Sequence, residues 1–292
     1  GKNQGRPPFD RYVFMLHATD DGYGGLEHRH STALIAKRAD LPRLPGPDAA
    51  PGAAEPALKA TDGYTQLLGL ISHEYFHTWN VKRLRPAEFA RYDYERENYT
   101  RLLWFFEGFT SYYDDLLLRR AGLITPAVYL QLLGKTANQV LQTPGRQVQS
   151  VAQASFEAWT KYYRVQENTP NATVSYYTKG ALVAACLDLT LRAEGRGTLD
   201  EVMRALWQRC AGGPMKDADL LAVLRRVGGR DFGAEIGAWV HGTAELPLPD
   251  KLRALGLQVA EEPAALAQRL GLRVAEGPGG VTLKTVLHGS AA

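Results

Sequence analysis

Between Arg11 and Lys37 the apolar residues fall in short runs. RYVFMLHAT is rich in β-formers, LEHRHSTALIAK alternates in part, and DDGYGG between them is a strong turn signal. The pattern predicts strands within residues 1–40. Residues 41–60, LPRLPGPDAAPGAAEPALKA, carry no period and many Pro and Ala, which predicts an exposed, flexible loop. From 61 to 245 the period becomes mainly helical. DGYTQLLGLISHEYFHTWNVKRLRP carries an apolar stripe and is expected to run as a helix until Pro86. RLLWFFEGFTSYYDDLLLRRAG, TPAVYLQLLGKTANQVLQ, SYYTKGALVAACLDLTLRAEG, LDEVMRALWQRCAGG, DADLLAVLRRVGG and DFGAEIGAWVHG predict further helices. Within residues 246–292, ELPLPDKLRALG reads as a Pro-rich linker and GLRVAEGPGGVTLKTVLHG as strands of a new small module.

These elements make an α+β chain with a small sheet and a mainly helical lobe. Composition narrows its partners. A net charge of +3 over 292 residues, with no basic run, argues against nucleic acid. No stretch approaches the ~18 apolar residues of a membrane span. Cys186 and Cys210 have no Cys or His at zinc-site spacing and are expected to be reduced thiols on helices. The compartment stays open between cytoplasm and periplasm. The polar opening GKNQGRPP and a final module that stops early lead us to expect a piece of a longer protein.

The chemistry is concentrated in His73-Glu74-Tyr75-Phe76-His77. On a helix, residues four apart differ by roughly 40° around the axis, so both imidazoles face one way, one turn apart. Two neutral ring nitrogens there suit adjacent corners of a zinc tetrahedron, and Glu74 stands where a general base is needed. The flanks, ISHEYFHTWNV, are apolar, and two buried histidines and a buried carboxylate without an ion would be costly. A catalytic zinc needs a third protein ligand. The leading candidate is Glu107, an acid among Trp104, Phe105, Phe106 and Phe109, thirty residues after His77. His17, His28 and His30 are rivals, each better explained as a strand residue.

HEYFHTWNVKRLRP followed by LWFFEGFTSYY resembles the glycyl aminopeptidase family over roughly residues 11–292. That resemblance implies a gluzincin zinc peptidase with a thermolysin-like catalytic domain, here residues 1–245. It also implies a PDZ module, whose start would lie within 246–292. It implies that Glu107 is the third zinc ligand. The family usually has a further N-terminal β-rich domain, to which nothing here corresponds. Zinc aminopeptidases with this ligand set carry a Gly-x-Met-Glu-Asn strand whose Glu binds the substrate's α-amino group. Gly24-Gly25-Leu26-Glu27-His28 is similar, with Leu for Met and His for Asn. They also place an oxyanion-stabilising tyrosine in Tyr-x-Lys-Gly, matched by Tyr177-Thr178-Lys179-Gly180, with Tyr176 as the neighbouring alternative.

The implied protein is a zinc-dependent aminopeptidase acting on peptides with a free N-terminus, with a preference for small first residues such as Gly or Ala. Its cofactor is Zn2+. Its metal ligands are His73, His77 and Glu107, its catalytic residues Glu74 and Tyr177, and its substrate-binding residues Glu27, Gly24 and Gly25. A completed PDZ module would take a peptide C-terminus. The rival readings are a zinc endopeptidase and a catalytically silent scaffold carrying the PDZ module.

Overall fold

The computed structural model describes residues 7–42, 61–264 and 266–291. In chain order it has strands β1 (Val13–Thr19), β2 (Gly24–Glu27) and β3 (Ser31–Lys37), then helix α1 (Asp62–Phe76) and strand β4 (Arg85–Pro86). Helices α2 (Leu103–Phe106), α3 (Gly108–Arg120), α4 (Pro126–Leu141), α5 (Val151–Phe156) and α6 (Thr169–Ala172) follow. Next come α7 (Thr178–Ala193), α8 (Leu199–Arg209), β5 (Pro214–Met215), α9 (Asp217–Gly228) and α10 (Gly233–Ile236). The chain closes with α11 (Leu248–Ala254), α12 (Leu266–Leu270), β6 (Leu272–Gly277) and β7 (Gly280–Val286). No helix among the described residues is long and apolar enough to cross a membrane. Most of the loop expected at 41–60 lies outside the described residues.

Two compact units are formed, one from Gly1–Arg83 with Tyr113–Leu130, the other from Leu84–Tyr112 with Gln131–Ala292. In the first, a three-stranded sheet has the order β1-β3-β2, with β1 parallel and β2 antiparallel to β3. Thr32, Leu34 and Ala36 of β3 are buried in alternation, as a strand with one core face requires. Helix α1 packs on β2 and β3. Its start is capped by Thr61, whose hydroxyl accepts from Tyr64 N at 3.1 Å.

Two expectations need correction here. Helix α1 ends at Phe76, well before Pro86, because the chain folds into a tight turn at His77–Lys82. His28 and His30 are not strand residues: they lie in the turn joining β2 to β3, where His28 N donates to Ser31 O at 2.9 Å. His17 is on β1 as expected.

The second unit is built around α7, most of whose residues are buried. It crosses α2 and the start of α3 at a glycine contact. A Cβ on Gly108 would run into the Gly180 backbone, and one on Gly180 into Trp104 O. That contact lets Trp104, Phe105, Phe106 and Phe109 pack completely out of water. The charge buried on α7 is fully partnered. Asp188 accepts from Tyr112 Oη at 2.7 Å, Leu199 N at 2.7 Å and Arg192 Nε at 2.9 Å. Cys186 on α7 is buried with its thiol pushed up to about 12, and Cys210 follows α8; both are free.

The expected linker contains a helix, α11. Pro247 and Pro249 sit at its start, where proline costs no backbone hydrogen bond. The expected strands at the end are the antiparallel pair β6 and β7. Asn171 of α6 holds this hairpin, donating to Val286 O at 2.8 Å and accepting from His288 N at 2.9 Å.

Candidate active site

In the first unit, the last turn of α1 presents His73, Glu74 and His77. His73 Nδ1 faces Asp114 Oδ2 at 3.1 Å, and His77 Nδ1 faces Asn80 O at 2.8 Å. The ring centroids are 4.7 Å apart at 85°. With both Nδ1 atoms set against acceptors, each imidazole is suited to carry its proton there, the tautomer whose Nε2 is a zinc donor. The residues present therefore fit a zinc ion by donor chemistry.

Asp114 was not singled out in the sequence. Its only signal is an acid pair, Asp114-Asp115, in an apolar helix. It is fixed by Ser72, whose Oγ donates to Asp114 O at 2.9 Å, while its own Oδ1 accepts from Asp115 N. Burial raises the Asp114 pKa, and the His73 hydrogen bond opposes that rise. Asp115 is pushed up to about 7 by burial and by the adjacent Asp114 charge.

Glu74 is buried, with only 5% of its surface exposed. Behind it, Tyr12 Oη donates to Ser31 O at 3.2 Å and approaches Glu74 O at 3.5 Å, tying the helix to the sheet. In front of it lies β2. A Cβ built on Gly25 would collide with the Glu74 carboxylate, whereas one on Gly24 meets nothing within 4 Å. The side-chain room beside Gly25 is thus taken by the Glu74 carboxylate, and that beside Gly24 is open.

Glu27, at the end of β2, pairs with Thr32 in the sheet register. Its Oε1 accepts a salt bridge from Lys82 Nζ at 3.0 Å. Glu27, Glu74 and His77 each offer a donor atom, all within 4.8 Å of one another. The sheet thus brings Glu27, fifty residues from His77, into the same small cluster as Glu74.

In the second unit, Glu107 continues the helical path between α2 and α3: its N donates to Leu103 O at 2.7 Å and its O accepts from Ser111 N at 2.8 Å. Tyr177 stands at the start of α7. Tyr162, Tyr163, Tyr176 and Tyr177 form a ring cluster, with Tyr163 Oη 3.5 Å from the hydroxyls of both Tyr176 and Tyr177. Burial, then the Glu107 charge, drives the Tyr177 pKa far up, so its phenol stays protonated. Tyr176 is driven up by burial and then by Tyr163, and its side chain is closed off from solvent at 1% exposure. The motif's lysine, Lys179, is spent on structure: its Nζ donates to Arg146 O at 3.2 Å.

Comparison with known proteins gives this arrangement a context. The sequence model of M61 glycyl aminopeptidase matches residues 66–183, which include the histidines, Glu107 and both tyrosines. The fold is similar to that of a crystal structure of an aminopeptidase N family protein from Idiomarina loihiensis, with a TM-score of 0.84 and 37% identity. That match covers 97% of this chain and 49% of the other, so this chain spans about half its length. A substrate-bound mutant of an M1 zinc metallopeptidase from Deinococcus radiodurans is more distant, at TM-score 0.48 and 17% identity over 84% of this chain and 42% of that one. No curated relative matches at a significant level. On the matched segment and the Idiomarina loihiensis structure, the chain belongs to the M61 glycyl aminopeptidase family.

Proposed function

We propose that this chain is the catalytic part of a zinc-dependent aminopeptidase that hydrolyses the first peptide bond of its substrates. The observation that carries the reading is Glu27. Its carboxylate lies within 4.8 Å of donor atoms of Glu74 and His77, at the edge strand where an extended peptide would add its N-terminus. A preference for small first residues, Gly or Ala, is supported by the family's name alone.

Zinc is held in this reading by His73, His77 and Glu107. A rival group, Glu27, Glu74 and His77, also has donor atoms within 4.8 Å of one another. That group is disfavoured, since it leaves out His73, which like His77 has its Nδ1 set against an acceptor. When bound, zinc polarises the scissile carbonyl and acidifies a water molecule. Elemental analysis should find one zinc per chain in the wild type and less than about a tenth of that in Glu107→Ala, because two histidines alone hold zinc weakly against competing ligands. Full zinc in the variant would assign the third ligand elsewhere.

The residues then divide the work. Glu27 accepts hydrogen bonds from the substrate's α-ammonium and so fixes which bond is cut. Glu74 takes the proton of the attacking water and returns it to the leaving amine. Tyr177, kept protonated, donates to the oxyanion as the carbonyl carbon becomes tetrahedral. Gly25 leaves the Glu74 carboxylate its place. Gly25→Ala should therefore lower kcat by about 10²-fold through a displaced base, with zinc and fold retained, while Gly24→Ala stays within about threefold. Steady-state kinetics on both variants checks this, and equal effects would remove the steric role.

The same reading makes residues 1–245 a thermolysin-like catalytic domain and residues 246–292 a connection into a PDZ module. The β6–β7 hairpin supports the latter as a strand-rich start. A completed module would bind a peptide C-terminus through an open strand edge.

A further inference from the structure

We infer that Lys82 is a positioning residue for amine recognition, pinning Glu27 so that one of its oxygens faces the substrate's N-terminus. This rests on the aminopeptidase reading and extends it to a residue outside the zinc and base machinery.

The turn that ends α1 is built to deliver this side chain. His77 Nδ1 is held by Asn80 O at 2.8 Å, and Lys82 N donates back to His77 O at 3.0 Å. Between them Val81 has φ +132°, a conformation that a β-branched residue adopts only where its surroundings impose it. Val81 is buried, which holds it there. Arg83 clamps the turn from the other side. It donates to Thr78 O at 2.7 Å, to Arg29 O at 3.1 Å and to Pro8 O at 2.9 Å, and Arg29 lies in the turn that follows Glu27. The result is the Lys82 Nζ–Glu27 Oε1 contact at 3.0 Å, in which both side chains are less than a quarter exposed.

A purely structural ion pair explains less than this. Glu27 shares its small cluster with a second carboxylate, Glu74, and two like charges that close repel. Left alone, Glu27 would turn toward solvent. One ammonium on Oε1 offsets that repulsion and fixes the rotamer. A carboxylate accepts about four hydrogen bonds, so the second oxygen keeps its lone pairs for an incoming ammonium. Lys82 therefore occupies Glu27 without consuming it.

The test uses Lys82→Met, Lys82→Gln and Lys82→Arg, assayed on alanine p-nitroanilide and its N-acetyl form. The readout is the ratio of kcat/KM between the free and acetylated substrates. In the Met and Gln variants that ratio should fall about tenfold through KM on the free amine, with kcat within about twofold and zinc unchanged. Arg, which keeps the cation, should restore most of it. A discriminating wild type whose ratio is unchanged in both neutral variants would overturn the assignment of Lys82 alone. Loss of zinc or of folding in both would make Lys82 a structural residue and overturn it equally. A wild type that cleaves both substrates alike would remove amine recognition itself, and this inference with it.

Discussion

Glu74→Gln should keep the fold and the zinc and lose nearly all turnover. Glutamine matches glutamate in shape, so the space beside Gly25 remains filled, and the Tyr12 contact to the backbone oxygen of residue 74 is untouched. What disappears is the capacity to take a proton. A positioned general base contributes about 10²–10⁴ in rate, so the loss should lie in that range. Pre-steady-state and steady-state rates on a peptide anilide, with zinc measured on the same sample, check the result. Turnover close to wild type with zinc bound would give the base role to another group.

Glu27→Ala should also lose orders of magnitude on free-amine substrates while leaving zinc in place. Removing one partner of a desolvated charge pair costs several kcal/mol, equivalent to about 10²–10³-fold in kcat/KM. Here a further penalty adds to it. With Glu27 gone, the Lys82 ammonium is left facing the position where the substrate's ammonium must sit, and the two repel. N-acetylated substrates carry no such charge and should lose little more than they already lack. The measurement is kcat/KM for paired free and acetylated anilides on both proteins. A parallel drop on the two substrates would make Glu27 a structural residue of β2.

The sequence exposed what depends on local pattern. The strands of the small sheet, the long helices, and the His73–His77 spacing are all written within a few residues of one another, and the structure has each of them. The resemblance to the family carried the reading across the chain to Glu27 and Tyr177. What stayed hidden depends on contacts between distant residues. The end of α1 at Phe76 has no helix-breaking residue; it follows from the turn that Asn80, Lys82 and Arg83 build through their hydrogen bonds. Asp114 is one half of an acid pair until Ser72 and His73 converge on it. The prolines before α11 read as a linker because proline breaks helices internally, yet it is tolerated in a first turn. The approach of the Glu74 carboxylate to Gly25 was hidden in the same way, because Glu74 is forty-nine residues away, on α1.

In the proposed reading, specificity resides in a strand carboxylate, Glu27, and the chemistry in the end of helix α1. Both features are needed for a zinc aminopeptidase. Initial rates of wild-type protein on alanine p-nitroanilide and N-acetyl-alanine p-nitroanilide, each with and without a chelator, test them in one experiment. The free amine should be hydrolysed at least about 10²-fold faster than the acetylated form, in line with a desolvated ammonium–carboxylate contact. The chelator should abolish both rates, and added zinc should restore them. Equal rates on the two substrates, or hydrolysis that survives removal of the metal, would contradict the assignment of this chain as a zinc aminopeptidase.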